Sequence, residues 1–181
     1  MALFSIEHSK AAYRADFAFY ILAILGLTIF LVATVSLRQA PWAAALLLIG
    51  LALWSLIEYV MHRYLFHHVQ PFKTWHAVHH QRPQALIYAP TLLIGTSIGV
   101  LIFWPTFWLG GLWVATALTL GFLIGNLVYS SAHHAVHHVR ATHPWLRRLK
   151  LWHALHHHQT QRGVCFGVTS GFWDRVLGSA P

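Results

Sequence analysis

Hydrophobic and polar positions fall in long blocks along this chain. Residues 17–37 are a run of 21 residues without a charged side chain, and about 20 apolar residues suffice for a helix to cross a bilayer. Residues 42–61 form a second such block. Arg38, Gln39 and Pro41 between them read as a tight turn. So short a connection makes the two blocks an antiparallel hairpin. No Asp, Glu, Lys or Arg occurs from Pro83 to Val139. That stretch predicts two more spans, about 86–104 and 107–132, parted near Pro105 and the Gly110–Gly111 pair. Pro90 is expected near the start of the third span, where its missing N–H matters least.

Around the spans the chain is polar. Residues 1–16 predict a helical lead-in, and two histidine-rich segments cover 62–84 and 133–181. In the second, His143–Pro144 and Arg147–Arg148 predict a loop leading into a helix that carries His153 to His158. Gly163, Gly167, Gly171 and Gly178 predict a loop-rich end. The expected fold is an all-α integral membrane domain over 1–181, four transmembrane helices in two hairpins with a histidine-rich helical cap.

Composition agrees. The chain of 181 residues is 57% apolar and 9% charged, where soluble domains carry about 25% charged residues. Its net charge of +8 would suggest nucleic acid in a soluble protein. Here the basic residues flank apolar runs, so anionic lipid headgroups are the expected partner and nucleic acid is not. Of the 12 Lys and Arg residues, all but Arg38 lie in the lead-in, in 62–84 or after 139. Two hairpins put those three segments on one face, and the bias of basic residues assigns that face to the cytoplasm. The first sixteen residues mix charges of both signs without an apolar core, so no cleavable signal peptide is expected. The single cysteine, Cys165, excludes an internal disulfide and a thiolate metal cluster.

The chemistry lies in the histidines, of which there are 16. His62 and His67 are spaced H-x4-H, and His76, His79 and His80 follow as H-x2-H-H. Farther on, His133 and His137 are spaced H-x3-H, and His153, His156 and His157 repeat H-x2-H-H. Neutral imidazole is the commonest protein metal ligand, and ten in two matched sets suit two metal ions with five ligands each. Positions i, i+3 and i+4 share a helical face, so each triple is expected to point at one object. H-x4-H fits an α-helix poorly, since five residues turn through about 140°. The helix is therefore expected to end or distort between His62 and His67, or the two to serve different metals. His134 and His138 form an equally good i, i+4 pair, and periodicity alone does not choose. His68 and His158 are supporting donors or solvated, and His8 and His143 lie outside the pattern. Glu58, one turn before His62, either hydrogen-bonds a ligand imidazole or reaches for the interface. Tyr59 and Tyr129 precede the looser pairs and either approach the site or belong to an aromatic belt.

Nitrogen-only ligation suits zinc, copper, iron or nickel. Ten ligands exceed the four of a structural zinc site. Two redox metals at the membrane surface suit activation of O₂, with a lipid chain entering from the bilayer. A metal transporter, the reading from another class, calls for ionisable residues along the spans, which are nearly free of them.

These boxes resemble the fatty acid hydroxylase/sterol desaturase superfamily of membrane di-iron enzymes. EYVMHRYLFH (58–67), HAVHH (76–80), HHAVHH (133–138) and LKLWHALHHH (149–158) stand in that family's order. The tail FGVTSGFWDRVLG (166–178) is similar to that of its fatty acid 2-hydroxylase branch. The resemblance selects His133 and His137, because Tyr129 matches a box tyrosine. It also shows Ser130 where many relatives have Asp. It implies an O₂-dependent di-iron hydroxylase acting on a fatty acid or sphingolipid acyl chain, with a carotenoid or sterol hydroxylase/desaturase as the alternative. Zinc would replace iron in purified material. A separate electron donor, cytochrome b5-like or a ferredoxin, is expected. The implied location is the bacterial inner membrane or the endoplasmic reticulum, with termini and histidine boxes cytoplasmic.

Overall fold

The computed structural model describes residues 7–87, 89, 91–158 and 163–181. Pro90 and the first six residues of the lead-in lie outside them. The described residues form helices, with one isolated bridge between Glu7 and Ile87. They divide into two compact units, 1–54 with 86–127 and 55–85 with 128–181.

The first unit contains α1 (Lys10–Thr34), most of α2 (Ala40–Val60), α4 (Thr91–Ile98), α5 (Trp104–Gly110) and the first part of α6 (Leu112–His138). Ser9 caps α1, its hydroxyl accepting from Ala12 N at 3.2 Å. This satisfies one of the donors a helix start leaves open, so the helix begins within the polar lead-in. The α1–α2 turn is closed by Gln39, whose side-chain oxygen accepts from Ser36 N at 3.1 Å and Ser36 Oγ at 2.8 Å. Pro41 follows in the first turn of α2, where no N–H is required.

Beyond α4 the helix widens into a π turn (Gly99–Phe103) in which Trp104 N bonds Gly99 O. It then continues as α5 with Pro105 in its first turn. The expected break at Pro105 is absent. The π turn absorbs the amide and the space a proline removes, and the chain reverses at Gly111, with φ of 80°. The third apolar helix therefore runs Thr91–Gly110, and the fourth starts at Leu112.

Among the described residues, four helices are long and apolar enough to cross a membrane. In the first unit their outer positions are large and apolar: Ile29, Val32, Leu101 and Leu109 are all exposed. This is the surface expected of a multi-pass membrane protein. Inside the unit, Leu31, Ala117 and Leu120 are buried with Ile24, Leu27, Leu46 and Leu47 packed against them. Helices α2 and α6 meet backbone to backbone. A Cβ on Gly121 would lie 2.9 Å from Gly50 Cα and 3.0 Å from Leu51 N. Small residues allow such close crossings, which carry much of helix association where lipid is as apolar as the protein.

The second unit contains the rest of α2, a π turn (Met61–Phe66), α3 (Phe72–Gln81), the end of α6, α7 (Pro144–His158) and a tail that carries α8 (Phe172–Val176). The tail folds back on itself. Cys165 N bonds Ser179 O at 2.9 Å, and Ser179 N bonds Asp174 O at 2.8 Å.

Candidate metal centre

All ten predicted imidazoles come together in the second unit, in an order that sequence spacing did not indicate. His62, His67, His76, His80 and His156 each offer a ring nitrogen within 4.8 Å of the others, and so do His79, His133, His137 and His153. His157 flanks the second group, with Nε2 3.0 Å from His153 Nε2 and its ring stacked on His80 at 4.2 Å.

The triples do not each face one object. On a helix, residues at i and i+4 differ by about 40°, whereas i+3 and i+4 diverge by about 100°. His76 and His80 therefore join the first group while His79 turns to the second. The other triple mirrors this: His153 turns to the second group and His156 to the first. Each triple thus contributes to both groups.

The H-x4-H pair is reconciled by the π turn over Met61–Phe66. Its i→i+5 repeat returns residues five apart to nearly one face. His62 and His67 stack at 5.5 Å and share the first group. In the ambiguous pairs, His133 and His137 face inward, whereas His134 and His138 stack on each other at 4.7 Å and His138 is exposed. His68, His143 and His158 are exposed, and His8 pairs with Asp16 at 2.9 Å.

The donors are buried or half-buried and short of protons. Burial, then neighbouring imidazoles, lowers His79 to about 3 and His157 to about 2. Burial likewise brings His156 down to about 3, despite the hydrogen bond from its ring to Val164 that raises it. Each ring is therefore neutral at pH 7, with a lone pair to give. Nε2 atoms of the first group lie 2.9–3.1 Å apart. So many lone pairs converging is repulsive unless a cation lies among them, and nitrogen-only donors in fours and fives fit a transition-metal ion. The sign for the metal-free protein follows. Unfolded histidines take up protons near pH 6.5, whereas the folded ones stay neutral to about pH 4 or below. The unfolded state then binds more protons, so stability rises with pH. Metal-free protein is expected to hold its stability above about pH 6.5 and to lose it progressively down to about pH 2, the lowest of these values. Thermal melts across that range check this, and a flat profile would contradict it.

Among the described residues, Glu58 hydrogen-bonds no histidine. Its carboxylate accepts from Val168 N at 3.0 Å, Thr169 N at 2.9 Å and Thr169 Oγ1 at 2.8 Å. Tyr59 is wholly buried, and its hydroxyl meets Ser179 Oγ at 2.7 Å while accepting from Arg63 at 2.6 Å. Ser179 Oγ in turn donates to Asp174 at 2.8 Å, so Tyr59 donates to Ser179. Replacing Tyr59 by Phe removes this relay and should cost about 1–2 kcal/mol. A small drop in melting temperature with metal content unchanged is the expected measurement. Tyr129 stacks on His133 at 5.9 Å. Sequence reasoning missed Asp174, which is fully buried, and the main-chain carbonyls of Val164 and Phe166, which bond His156 and His62. Asp174 was detectable as an acid in a loop-rich aromatic tail, whereas a backbone carbonyl leaves no mark in a sequence.

The fatty acid hydroxylase model matches residues 47–179. A dihydroceramide fatty acyl 2-hydroxylase of Arabidopsis thaliana is 32% identical over 154 residues, covering 78% of this chain and 62% of its own length. The ceramide very long chain fatty acid hydroxylase of Saccharomyces cerevisiae is 33% identical over 159 residues, covering 76% and 38%. Among solved structures, full-length scs7p, of which only the hydroxylase domain is visible, aligns with a TM-score of 0.78 at 28% identity. It covers 94% of this chain and 67% of that one. The chain thus spans about three fifths of the plant relative and about two fifths of the yeast one.

Proposed function

Since the chain belongs to the fatty acid hydroxylase family, we propose that it hydroxylates the acyl chain of a membrane lipid at the carbon beside the carbonyl. The observation that carries this reading is the convergence of ten imidazoles into two adjoining groups. The plant relative is named a dihydroceramide fatty acyl 2-hydroxylase and the yeast one a ceramide very long chain fatty acid hydroxylase, which supports a sphingolipid-like acyl substrate. The balanced reaction takes a CH₂ group, O₂, two electrons and two protons to a CH(OH) group and water.

His62, His67, His76, His80 and His156 would hold one iron ion. His79, His133, His137, His153 and His157 would hold the other. Bound there, the two ions would supply the O₂ activation that oxidation of an aliphatic C–H bond demands. The protein contributes fixed, neutral, dehydrated donors. His62, His79, His153 and His156 are all buried, which keeps water from competing for their lone pairs. The bias of eleven basic residues to one face supports a cytoplasmic orientation of the histidine boxes. A separate electron-transfer protein, cytochrome b5-like or a ferredoxin, would then reach them from that side.

The test has two parts. Metal is measured per chain on anaerobically purified protein, with two expected. Lipids of cells with and without the protein are then compared for acyl species heavier by one oxygen atom, and fragmentation locates the hydroxyl. A hydroxylated carotenoid or sterol in place of an acyl product would move the assignment elsewhere in the superfamily. Chains without metal would sink it.

A further inference from the structure

The ten rings are not supported equally. In the first group, His62 Nδ1 meets Phe166 O at 2.5 Å and His156 Nδ1 meets Val164 O at 3.0 Å. A carbonyl only accepts, so both rings carry hydrogen on Nδ1 and turn an unprotonated Nε2 toward the group. Both carbonyls belong to one short segment, 164–169, and buried carboxylates anchor it. Asp174 accepts from Phe166 N at 2.8 Å and Gly167 N at 2.9 Å. Glu58 accepts from the next two amides, Val168 N at 3.0 Å and Thr169 N at 2.9 Å. Four successive N–H groups thus end on two acids. Neither acid forms an ion pair among the described residues. Burying a carboxylate without a cation is costly unless its hydrogen bonds are complete, and here they are spent on holding a loop. Nδ1 of His80 in the first group, and of His79 and His153 in the second, are buried and have no hydrogen-bond partner among the described residues, so the carbonyl-held rings His62 and His156 both belong to the first group.

We infer that residues 164–169 are a strap, anchored by Glu58 and Asp174, that positions the His62/His156 group alone and makes the two metal positions unequal in their hold on metal. This rests on reading both groups as metal sites. A partner on the far ring nitrogen fixes the orientation of a ligand histidine and strengthens its donation, and losing it costs about 10- to 100-fold in metal affinity. The strapped position keeps its ion, and the other exchanges.

Zinc release to a chromogenic chelator, followed on the zinc-loaded full chain in detergent, tests this. Wild type is expected to give two phases of equal amplitude. His79→Ala should remove the fast phase. Glu58→Gln should accelerate only the slow one, by about 10- to 100-fold. Thr169→Val removes a single hydroxyl bond at nearly constant volume, so it keeps the fold, and it should accelerate the same phase by a smaller factor. Trp173→Phe removes the tail's bond to Ser55, which spans 3.1 Å, and should move neither phase. The inference is overturned by a single phase in wild type, or by Glu58→Gln and Thr169→Val changing both phases or neither. Wild type that takes up no zinc would overturn the metal-site reading itself.

Discussion

Replacing His156 by alanine is expected to abolish hydroxylation and to bring bound metal down from two per chain toward one. The side chain is 2% exposed. Its Nε2 lies 3.1 Å from His67 Nε2, and its ring packs 4.3 Å from His62. Alanine takes away one of five donors and also leaves the half-buried Val164 carbonyl without its partner, which adds the cost of a lost hydrogen bond. The instructive part is which ion goes. His156 sits in the second triple, yet its loss should empty the first group, whereas His79→Ala, in the first triple, should empty the second. A His80→Ala/His156→Ala double variant should then be no worse than either single, because one group cannot be lost twice. A His79→Ala/His156→Ala double variant should hold no metal. His143 is exposed and outside both groups, and its alanine variant should keep full metal and activity. Two metals and wild-type turnover in His156→Ala would refute the assignment.

Replacing Gly121 by valine is expected to prevent recovery of folded protein. A Cβ at this position would stand 2.9 Å from Gly50 Cα and 3.0 Å from Leu51 N, with Leu47 O closer still. These are backbone atoms of a neighbouring helix, which cannot rotate aside as a side chain does. The helices must part, and contacts along the crossing go with them. Ordinary overpacking costs about 1–3 kcal/mol, and a clash with a rigid helix should exceed that range. Gly26 is the control, because a Cβ there meets nothing within 4 Å, and Gly26→Ala should be neutral or stabilising by up to about 1 kcal/mol. The yield of monodisperse protein in detergent and its melting temperature decide the matter. Valine at 121 with a wild-type melt would show that the crossing is looser than its geometry.

The membrane helices were legible because an apolar run of bilayer length leaves a chain one economical choice, a helix that satisfies its own backbone. Their ends were less legible. Pro105 looked like a break, yet a π turn over Gly99–Phe103 carried the helix through it, and left-handed Gly111 made the reversal. The spacing of His62 and His67 did announce a distortion, because an α-helix could not bring them together, and the π turn is that distortion.

By itself the sequence determined that this is a four-span membrane protein with ten metal-competent imidazoles in four boxes. Composition and local period suffice for the spans and for the spacing of the boxes, since each depends only on near neighbours along the chain, whereas the choice of His133 and His137 over His134 and His138 came from the family resemblance. Only the tertiary structure decided how the donors divide. His79 and His80 are adjacent in the chain and serve different groups, while His67 and His156 are far apart in it and meet at 3.1 Å. Periodicity says which side chains share a face, and it is silent on what that face meets. The same limit hid the strap. Glu58 looked like a partner for His62 one turn away, but its carboxylate found unpaired amides 110 residues on, and the carbonyls that orient His62 and His156 belong to the backbone, which every sequence has in common.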